Sequence, residues 1–334
     1  RLRLPNQALV LFFLLLLTSC QPSKEDTHSS TSLSNESVKI TSSLWMISKE
    51  GEPTSYLLGS LHFGKANDQL PVNIQQIIQQ VDYVYTEVKI PVDLVHPKDP
   101  DFKSFIAKVY DKNTSPLSSK IGLERFNKIR AMLQTLAQKK RLRYDTRSLE
   151  HMQLWFLPLY LPQIIVENSF NPEKGLDQLV LAEARKLKKT LGALEEHMFR
   201  YHILKDKPIY LIMNDIDQIL NNPTLAEWSM RSIYELYHSN TGFEIIGMSL
   251  NPERSILGFL QGKKNLQSAN WLRKELLEKR NLHWVPKILA LLPHQKTLFV
   301  VGLLHLYGPT GLVQQLKNKG YTLTPLSPSQ TVYP

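Results

Sequence analysis

The sequence contains a single cysteine, Cys20, among 334 residues. One thiol cannot form an intramolecular disulfide, so the folded part must be stabilised by its core and its polar contacts. The sequence also lacks the Gly-x-Ser-x-Gly motif that positions the nucleophile of many serine hydrolases. These absences exclude a disulfide scaffold and disfavour a serine hydrolase of that kind.

No apolar run near the N-terminus is long enough for a permanent transmembrane helix. Residues 8–17 form an apolar stretch of ten residues, whereas a spanning helix needs about 20. The stretch follows two arginines and leads into Leu-Thr-Ser-Cys at residues 17–20, an order typical of a secretion signal that ends in a lipobox. We therefore predict that residues 1–20 are a lipoprotein signal peptide, cleaved before Cys20.

Acylation of Cys20 would anchor the mature protein, because several acyl chains give lasting attachment where one binds only marginally. Gln21 rather than Asp follows the cysteine, which by the sorting rule of enteric bacteria favours the outer membrane. We predict a lipid-anchored protein of the cell envelope, on the periplasmic face of a Gram-negative outer membrane. The alternative is an ordinary secretion signal in which the cysteine has no role.

Positive charge exceeds negative charge along the chain. The formal net charge is +10, and removal of Arg1 and Arg3 with the signal peptide leaves +8. A solvated surface with no partner is the simplest interpretation of this charge. Because an exported protein does not meet nucleic acid, we predict no nucleic-acid partner; anionic lipid headgroups or acidic peptides are better candidates. The predicted partners are the membrane, through the lipid on Cys20, and a peptide or protein substrate.

Composition predicts the domain boundaries. Residues 21–43 are rich in polar residues and nearly free of large apolar ones, so they cannot bury enough surface to offset the entropy cost of ordering. We predict a disordered tether there. No second low-complexity stretch interrupts the chain, and we predict one domain over residues 44–326, followed by a C-terminal tail over residues 327–334.

Hydrophobic patterns predict strands near both ends of this domain and helices between them. Short runs rich in β-branched and aromatic residues are typical of buried strands, and they cover residues 43–47, 55–58, 83–85 and 297–301. The middle is helical in its period. Residues 154–165 are apolar enough to resemble a membrane segment, but their length and two prolines favour a kinked core helix. The fold class is therefore predicted to be mixed α/β (α+β), with a central sheet and a large helical insertion.

Two segments at opposite ends of the domain repeat one pattern. Each has an apolar strand followed by Gly-x-x-His, which ends at His62 in the first copy and at His305 in the second. Each then passes a glycine, enters a helix with a Gln-Gln pair and leaves in another strand. The repetition predicts two βαβ-like units that together form the central sheet.

The repeated histidines predict a metal centre. The glycine of each copy is expected to let the backbone turn sharply at the strand end, so that the histidine projects above the sheet edge. Two packed units then bring two imidazoles to one cleft, and Glu87 ends the strand after the first copy. Imidazole and carboxylate bind zinc and similar ions, so we predict that His62, His305 and Glu87 bind a divalent metal ion such as Mn²⁺, Co²⁺ or Zn²⁺. The alternative is two buried turn histidines satisfied by backbone hydrogen bonds.

At these residues the chain resembles the TraB/PrgY/GumN family, which is related to the Tiki metalloproteases. The resemblance implies a mixed α/β fold in which the two histidines and the glutamate form a metal-dependent hydrolytic centre. One departure is Ser60, where the family often has threonine; the hydroxyl is kept. The marks of the resemblance follow one order along the chain: residues 56–62, 70–71, 86–88, 175–177, 194–196, 280–281, 284 and 301–306, with Gly308, Gly311, Gly320 and Tyr321.

Besides Ser60, four polar residues in this set are candidates for contacts with substrate or with the metal ligands. Asp177 lies at the start of a predicted helix and could instead stabilise the helix N-terminus. Glu195 follows a predicted strand. Arg280 suits a substrate carboxylate or phosphate, but an ion pair within the helical layer is an equal alternative, and Asn281 has the same ambiguity. The other histidines lack the strand-glycine context and are predicted to be structural or surface residues.

The leading hypothesis is a membrane-anchored, metal-dependent hydrolase that cleaves peptide bonds. Glu87 would be either a ligand or the base that accepts a proton from bound water. The competing hypothesis is a tethered binding protein that sequesters a peptide or small ligand without turnover. The sequence alone does not separate the two.

Overall fold

The computed structural model describes residues 37–89, 98–140, 146–166, 169–239, 242–250 and 263–327. Within these ranges, six strands form one mixed sheet, and helices make up most of the rest. The predicted mixed α/β fold is confirmed. Cys20, the signal peptide and most of the tether lie outside the described residues.

The strands occur where the sequence predicts them. They are β1 (Leu44–Ser48), β2 (Ser55–Ser60), β3 (Tyr83–Thr86), β4 (Thr190–Ala193), β5 (Thr297–Gly302) and β6 (Thr322–Leu326). The sheet order is β4-β3-β5-β2-β1-β6. Only β1 runs against its neighbours, because it pairs antiparallel with both β2 and β6 while the pairs among β2, β3, β4 and β5 are parallel.

The helices before β4 are α1 (Val72–Gln80), α2 (Pro100–Val109), α3 (Leu117–Ile121), α4 (Leu123–Lys140), α5 (Thr146–Leu149), α6 (Leu157–Val166) and α7 (Leu176–Lys186). After β4 follow α8 (His197–Lys205), α9 (Ile209–Asn221), α10 (Pro223–Tyr237), α11 (Gly242–Ser249), α12 (Lys263–Leu272), α13 (Lys279–Leu291) and α14 (Leu312–Asn318). A π-helical segment, Arg273–Glu278, joins α12 to α13.

The two repeated units interleave in the sheet. β2 and β5, which precede the two Gly-x-x-His motifs, are direct parallel neighbours, with Gly59 opposite Val301 and Ser60 opposite Gly302. The first unit passes over β5 to reach β3, and the second passes over β2 and β1 to reach β6. Each unit is therefore a βαβ crossover between parallel strands, as predicted, and the two motif-bearing strand ends lie side by side.

Side chains of the central strands alternate between two apolar layers. Leu58, Leu298 and Val300 pack with buried residues of α1 and α7 on one face. Leu57 and Phe299 belong to the larger core formed with the helical insertion on the other face. The sheet is thus covered on both sides, as parallel strands require.

The predicted kinked core helix is α6, with a 3₁₀ turn, Leu154–Phe156, before it and Pro162 inside it. Every residue of α6 is buried in the domain. Among the described residues, no helix combines the length and apolar character that a membrane crossing requires.

The folded part begins before residue 44, earlier than the predicted boundary. Ile40 is buried in the main core, and Val38 packs against it. Ser42 and Ser43 are buried as well, and the Ser42 hydroxyl accepts from the backbone N–H of Leu44. Composition missed this boundary because two apolar residues in a polar stretch give no periodicity.

Candidate functional site

The carboxyl ends of three adjacent parallel strands meet at one edge of the sheet. His62 follows β2 by two residues, Glu87 directly follows β3, and His305 lies in the 3₁₀ turn Leu303–Leu306 after β5. Ligand sites of open α/β sheets lie at this edge. The three residues predicted as metal ligands therefore follow three different strands and lie together at one edge of the sheet.

The three side chains converge on one carboxylate oxygen. His62 Nε2 lies 3.8 Å from Glu87 Oε1, and His305 Nε2 lies 3.6 Å from the same oxygen. The side chain of His62 is 12% exposed, whereas that of His305 is 0% exposed. His62 is therefore the more exposed of the two histidines, although its Nε2 is buried.

The glycine of the second motif keeps the point of convergence open. A Cβ on Gly302 would lie 3.0 Å from His62 Nε2 and 3.2 Å from Glu87 Oε1. The Gly302 backbone N–H donates to Glu87 Oε1 at 2.7 Å. A side chain here would fill the space between the predicted ligands.

The predicted reason for the motif glycines is wrong. Gly302 has φ −57° and ψ 138°, which any residue can adopt, and Gly59 is not among the residues with positive φ. A Cβ on Gly59 would lie 2.7 Å from a methyl group of Leu306 and 2.8 Å from one of Leu303. Both glycines are required by close approach and not by a sharp turn.

Asp177 holds the ring of His62. Its Oδ2 lies 3.2 Å from His62 Nδ1, and its carboxylate is buried. The N-cap of α7 is Gly175, and no side chain caps this helix end. Asp177 is therefore not the N-cap, but as the acidic residue in the first turn of α7 it can stabilise the helix N-terminus while its carboxylate orients His62 with Nε2 toward Glu87.

Asn281 holds the ring of His305. Its Oδ1 lies 2.6 Å from His305 Nδ1, while its Nδ2 donates to the backbone oxygens of His305 and Thr310 at 3.1 and 3.0 Å. The two imidazoles thus share one arrangement, in which Nδ1 contacts an oxygen from the helical insertion and Nε2 faces Glu87.

Arg280 connects the cluster to Glu195. Its Nε and one terminal nitrogen donate to Glu195 Oε1 at 2.9 and 2.6 Å, and that terminal nitrogen also donates to Glu87 Oε2 at 2.6 Å. The other terminal nitrogen lies 3.3 Å from His305 Nε2. Trp284 Nε1 donates to Glu195 Oε2 at 2.8 Å. Of the two alternatives for Arg280, the structure has the internal ion pair, and Glu195 is its partner.

The buried charges set the protonation of the cluster. Burial raises the pKa of the Glu87 carboxyl, but Arg280 and the two histidines outweigh this and hold the pKa far below its usual range. Burial lowers the pKa of His305 to about 3 despite the Glu87 carboxylate, with further lowering by Arg280 and His62. Burial also acts to lower the pKa of His62, but Asp177 and Glu87 raise it above its ordinary value. The pKa values of the two motif histidines are therefore shifted in opposite directions, that of His62 upward and that of His305 downward.

Ser60 lies behind the site. Its buried hydroxyl donates to the backbone oxygen of Val301 at 3.2 Å, so it links the two motif-bearing strands. Cys20, the predicted lipidation site, is outside the described residues.

Sequence reasoning missed one buried cation near the cluster. Arg200, on α8, has a terminal nitrogen 3.4 Å from His197 Nδ1. Burial and the charge of Arg280 lower the pKa of Arg200 to about 10, and its charge acts to lower the pKa of His62. The local signal was weak, since Arg200 belongs to no motif and is marked only by its place one helical turn after His197.

The donor atoms suit a divalent ion after a small rearrangement. Ligand atoms on a tetrahedral zinc ion at 2.0–2.2 Å are roughly 3.3–3.6 Å apart; the distance from His305 Nε2 to Glu87 Oε1, 3.6 Å, lies at the upper end of that range, and that from His62 Nε2, 3.8 Å, lies slightly above it. Metal-binding histidines usually donate the other ring N–H to an oxygen, and here each Nδ1 lies within hydrogen-bond distance of a side-chain oxygen. In the described part of the chain, however, no three His, Cys, Asp or Glu side chains already form a complete ligand set. Arg280 must also give up its contact with His305 Nε2.

The fold and the site define a class: α/β proteins with a duplicated Gly-x-x-His at adjacent strand ends and a helical insertion that supplies the surrounding polar groups. The chain belongs to the TraB/PrgY/gumN family, whose model matches residues 43–325. No curated protein and no solved structure gives a significant match to the chain.

Proposed function

We propose that the protein is a metal-dependent hydrolase whose ion is held by His62 Nε2, His305 Nε2 and Glu87 Oε1. The observation that carries the proposal is the matched orientation of the two rings. Asp177 and Asn281, which lie on different helices, each contact Nδ1 and leave Nε2 facing the same carboxylate oxygen. A divalent ion bound there would supply an activated water and polarise the scissile carbonyl.

The contacts of Glu87 favour the role of ligand over that of general base. Its pKa is held far below the usual range, and an effective general base has a pKa near the working pH. Oε1 faces both histidines, whereas Oε2 accepts from Arg280. Glu87 therefore contributes one fixed negative charge through one oxygen.

The proposed substrate is a peptide bond. This part of the proposal is supported by the resemblance to the Tiki metalloproteases. We also propose that the protein acts at the cell envelope, anchored to the outer membrane through lipid on Cys20.

One observation favours the competing function, a binding protein without turnover. Arg280 already supplies a buried positive charge beside Glu87 and His305. Because Arg280 already neutralises the charge of Glu87, the site does not require a metal ion for charge balance and could hold a peptide or small ligand by hydrogen bonds alone.

The two functions differ in metal content and turnover. The purified full chain should take up Zn²⁺, Mn²⁺ or Co²⁺ in a 1:1 ratio and cleave members of a peptide library, and a chelator should abolish cleavage. His62→Ala and His305→Ala should each lose the ion, whereas His202→Ala, at an exposed helix position, should keep it. Peptide binding with neither metal uptake nor cleavage would establish the competing function.

A further inference from the structure

The amide of Asn281 can lie in only one orientation. Its Nδ2 faces the backbone oxygens of His305 and Thr310. If the amide were turned over, its oxygen would face two carbonyl oxygens, none of which carries a proton. Oδ1 must therefore be the atom that lies 2.6 Å from His305 Nδ1.

An amide oxygen only accepts hydrogen bonds, so it selects the form of His305 in which Nδ1 carries a proton. A second, longer contact is compatible with the same form. The Arg280 guanidinium, which only donates, lies 3.3 Å from His305 Nε2. A neutral ring satisfies both contacts in one tautomer, with the proton on Nδ1 and a lone pair on Nε2.

We propose that Asn281 is a positioning residue that fixes His305 in this tautomer, so that its Nε2 lone pair is directed at the point where His62 and Glu87 converge. Asp177 makes the corresponding contact with the first histidine. The repeated units supply the imidazoles, and two helices of the insertion, α7 and α13, supply the groups that orient them. The tautomer does not depend on the proposed function, but its use in metal binding does.

The tautomer is measurable by ¹⁵N NMR of histidine-labelled full chain, because protonated and lone-pair ring nitrogens have well-separated shifts. His305→Gln assigns the His305 signals. In the metal-free parent we expect Nδ1 to be protonated and Nε2 to carry the lone pair. The reverse assignment in the parent would overturn the proposal.

Two replacements separate the acceptor from the size of the side chain. Asn281→Asp keeps an oxygen acceptor at Nδ1, so Nδ1 should stay protonated in the folded variant, whose second carboxylate oxygen faces the two carbonyl oxygens and should lower its stability. Asn281→Leu has a similar volume without an acceptor, and His305 should lose its single tautomer and populate the Nε2-protonated form, which can donate to Glu87. Asn221→Leu, at an exposed helix end, should leave the His305 signals as in the parent. An unchanged tautomer in a folded Asn281→Leu protein would contradict the proposal, and loss of the Nδ1 proton in Asn281→Asp would do the same.

Zinc titration of the same proteins tests the consequence. Loss of a group that orients a ligand costs roughly 10–100-fold in metal affinity, so Asn281→Leu should bind zinc that much more weakly than the parent. A parent with the expected tautomer but no affinity for zinc would support the role of Asn281 and contradict the metal centre.

Discussion

At the scale of single residues, the two motif glycines are required for different reasons. The position of Gly302 faces the predicted metal ligands, whereas the position of Gly59 faces the apolar side chains of Leu303 and Leu306. The same residue in the same repeat is therefore required once by the site and once by the core.

Alanine at these positions should separate the two requirements. We expect Gly302→Ala to abolish metal uptake while changing the free energy of unfolding by less than about 1 kcal/mol, because φ −57° suits alanine. Gly59→Ala should keep metal uptake and cost about 1–3 kcal/mol, because its Cβ overpacks two leucines. Metal analysis and urea unfolding on both proteins provide the test; equal metal uptake by the two variants would contradict it.

The low proton affinity of His305 predicts a pH dependence of stability. Its pKa is about 3 in the folded protein and 6.5 as the ordinary value, so below pH 6.5 the unfolded chain binds a proton that the folded protein does not. This contribution to stability is present above pH 6.5 and is lost as the pH falls toward 3, by up to about 1.4 kcal/mol per pH unit.

His305→Gln should therefore flatten the loss of stability between pH 6.5 and 4.5, a range above the ordinary pKa of Glu87, 4.5. The measurement is chemical denaturation of metal-free protein at several pH values, with His202→Gln as the control at an exposed position. Parallel curves for the parent and His305→Gln would contradict the assignment of a neutral, buried His305.

At the scale of elements, α13 contributes more side chains to the site than either of the strand ends that carry the repeated motif. Its first turns present Arg280, Asn281 and Trp284, which contact Glu195, Glu87 and His305. Arg280 and Trp284, at i and i+4, lie on the same face of the helix, and Asn281 contacts His305 from the adjacent face. The insertion is therefore part of the site and does not merely cover it.

Helix α9 takes part in two ion pairs, one buried and one exposed. Lys207, just before α9, donates to Asp215 Oδ2 at 2.5 Å, and both side chains are 6% exposed. Ser268 of α12 donates to Asp215 Oδ1 at 2.7 Å. Arg125 of α4 pairs with Asp217 at 2.6 Å, but these side chains are 37% and 40% exposed.

Breaking the two pairs should have unequal effects. Lys207→Met leaves the Asp215 charge buried without its cation and should cost about 3–5 kcal/mol. Arg125→Ala removes a solvent-screened pair and should cost at most about 1 kcal/mol. The comparison is made by urea unfolding of both variants, and similar costs would show that burial does not set the strength of these pairs.

At the scale of the whole molecule, the interleaving of the two units explains why the residues of the site lie at one edge of the sheet. Each crossover passes over the motif strand of the other unit, and β2 and β5 are direct neighbours. Parallel neighbours end at the same edge, and there Nε2 of His62 and Nε2 of His305 lie 3.8 and 3.6 Å from Glu87 Oε1.

The anchoring proposal predicts the fate of the whole chain in the cell. Because Cys20 is the only cysteine, Cys20→Ser should leave an unprocessed precursor that incorporates no labelled fatty acid. The parent should fractionate with the outer membrane. Unchanged processing and labelling of Cys20→Ser would contradict lipidation, and recovery of the parent only in the inner membrane would contradict the sorting.

The sequence by itself determined the fold class, the positions of the strands and the pairing of two histidines with Glu87. These features depend on local patterns: hydrophobic period, strand length and a repeated motif. The sequence did not reveal where the domain starts or why the two motif glycines are required, because both depend on which residues pack against those positions.

Only the tertiary structure decided which atom faces which. The contacts that orient the site join residues far apart in the chain: 115 positions separate His62 from Asp177, 193 separate Glu87 from Arg280, and 85 separate Glu195 from Arg280. No local period encodes such pairs. Burial lowers the pKa of both histidines, although they stand in the same motif; the pKa of His62 is nevertheless raised because the Asp177 carboxylate lies beside it, whereas the Arg280 cation lies beside His305.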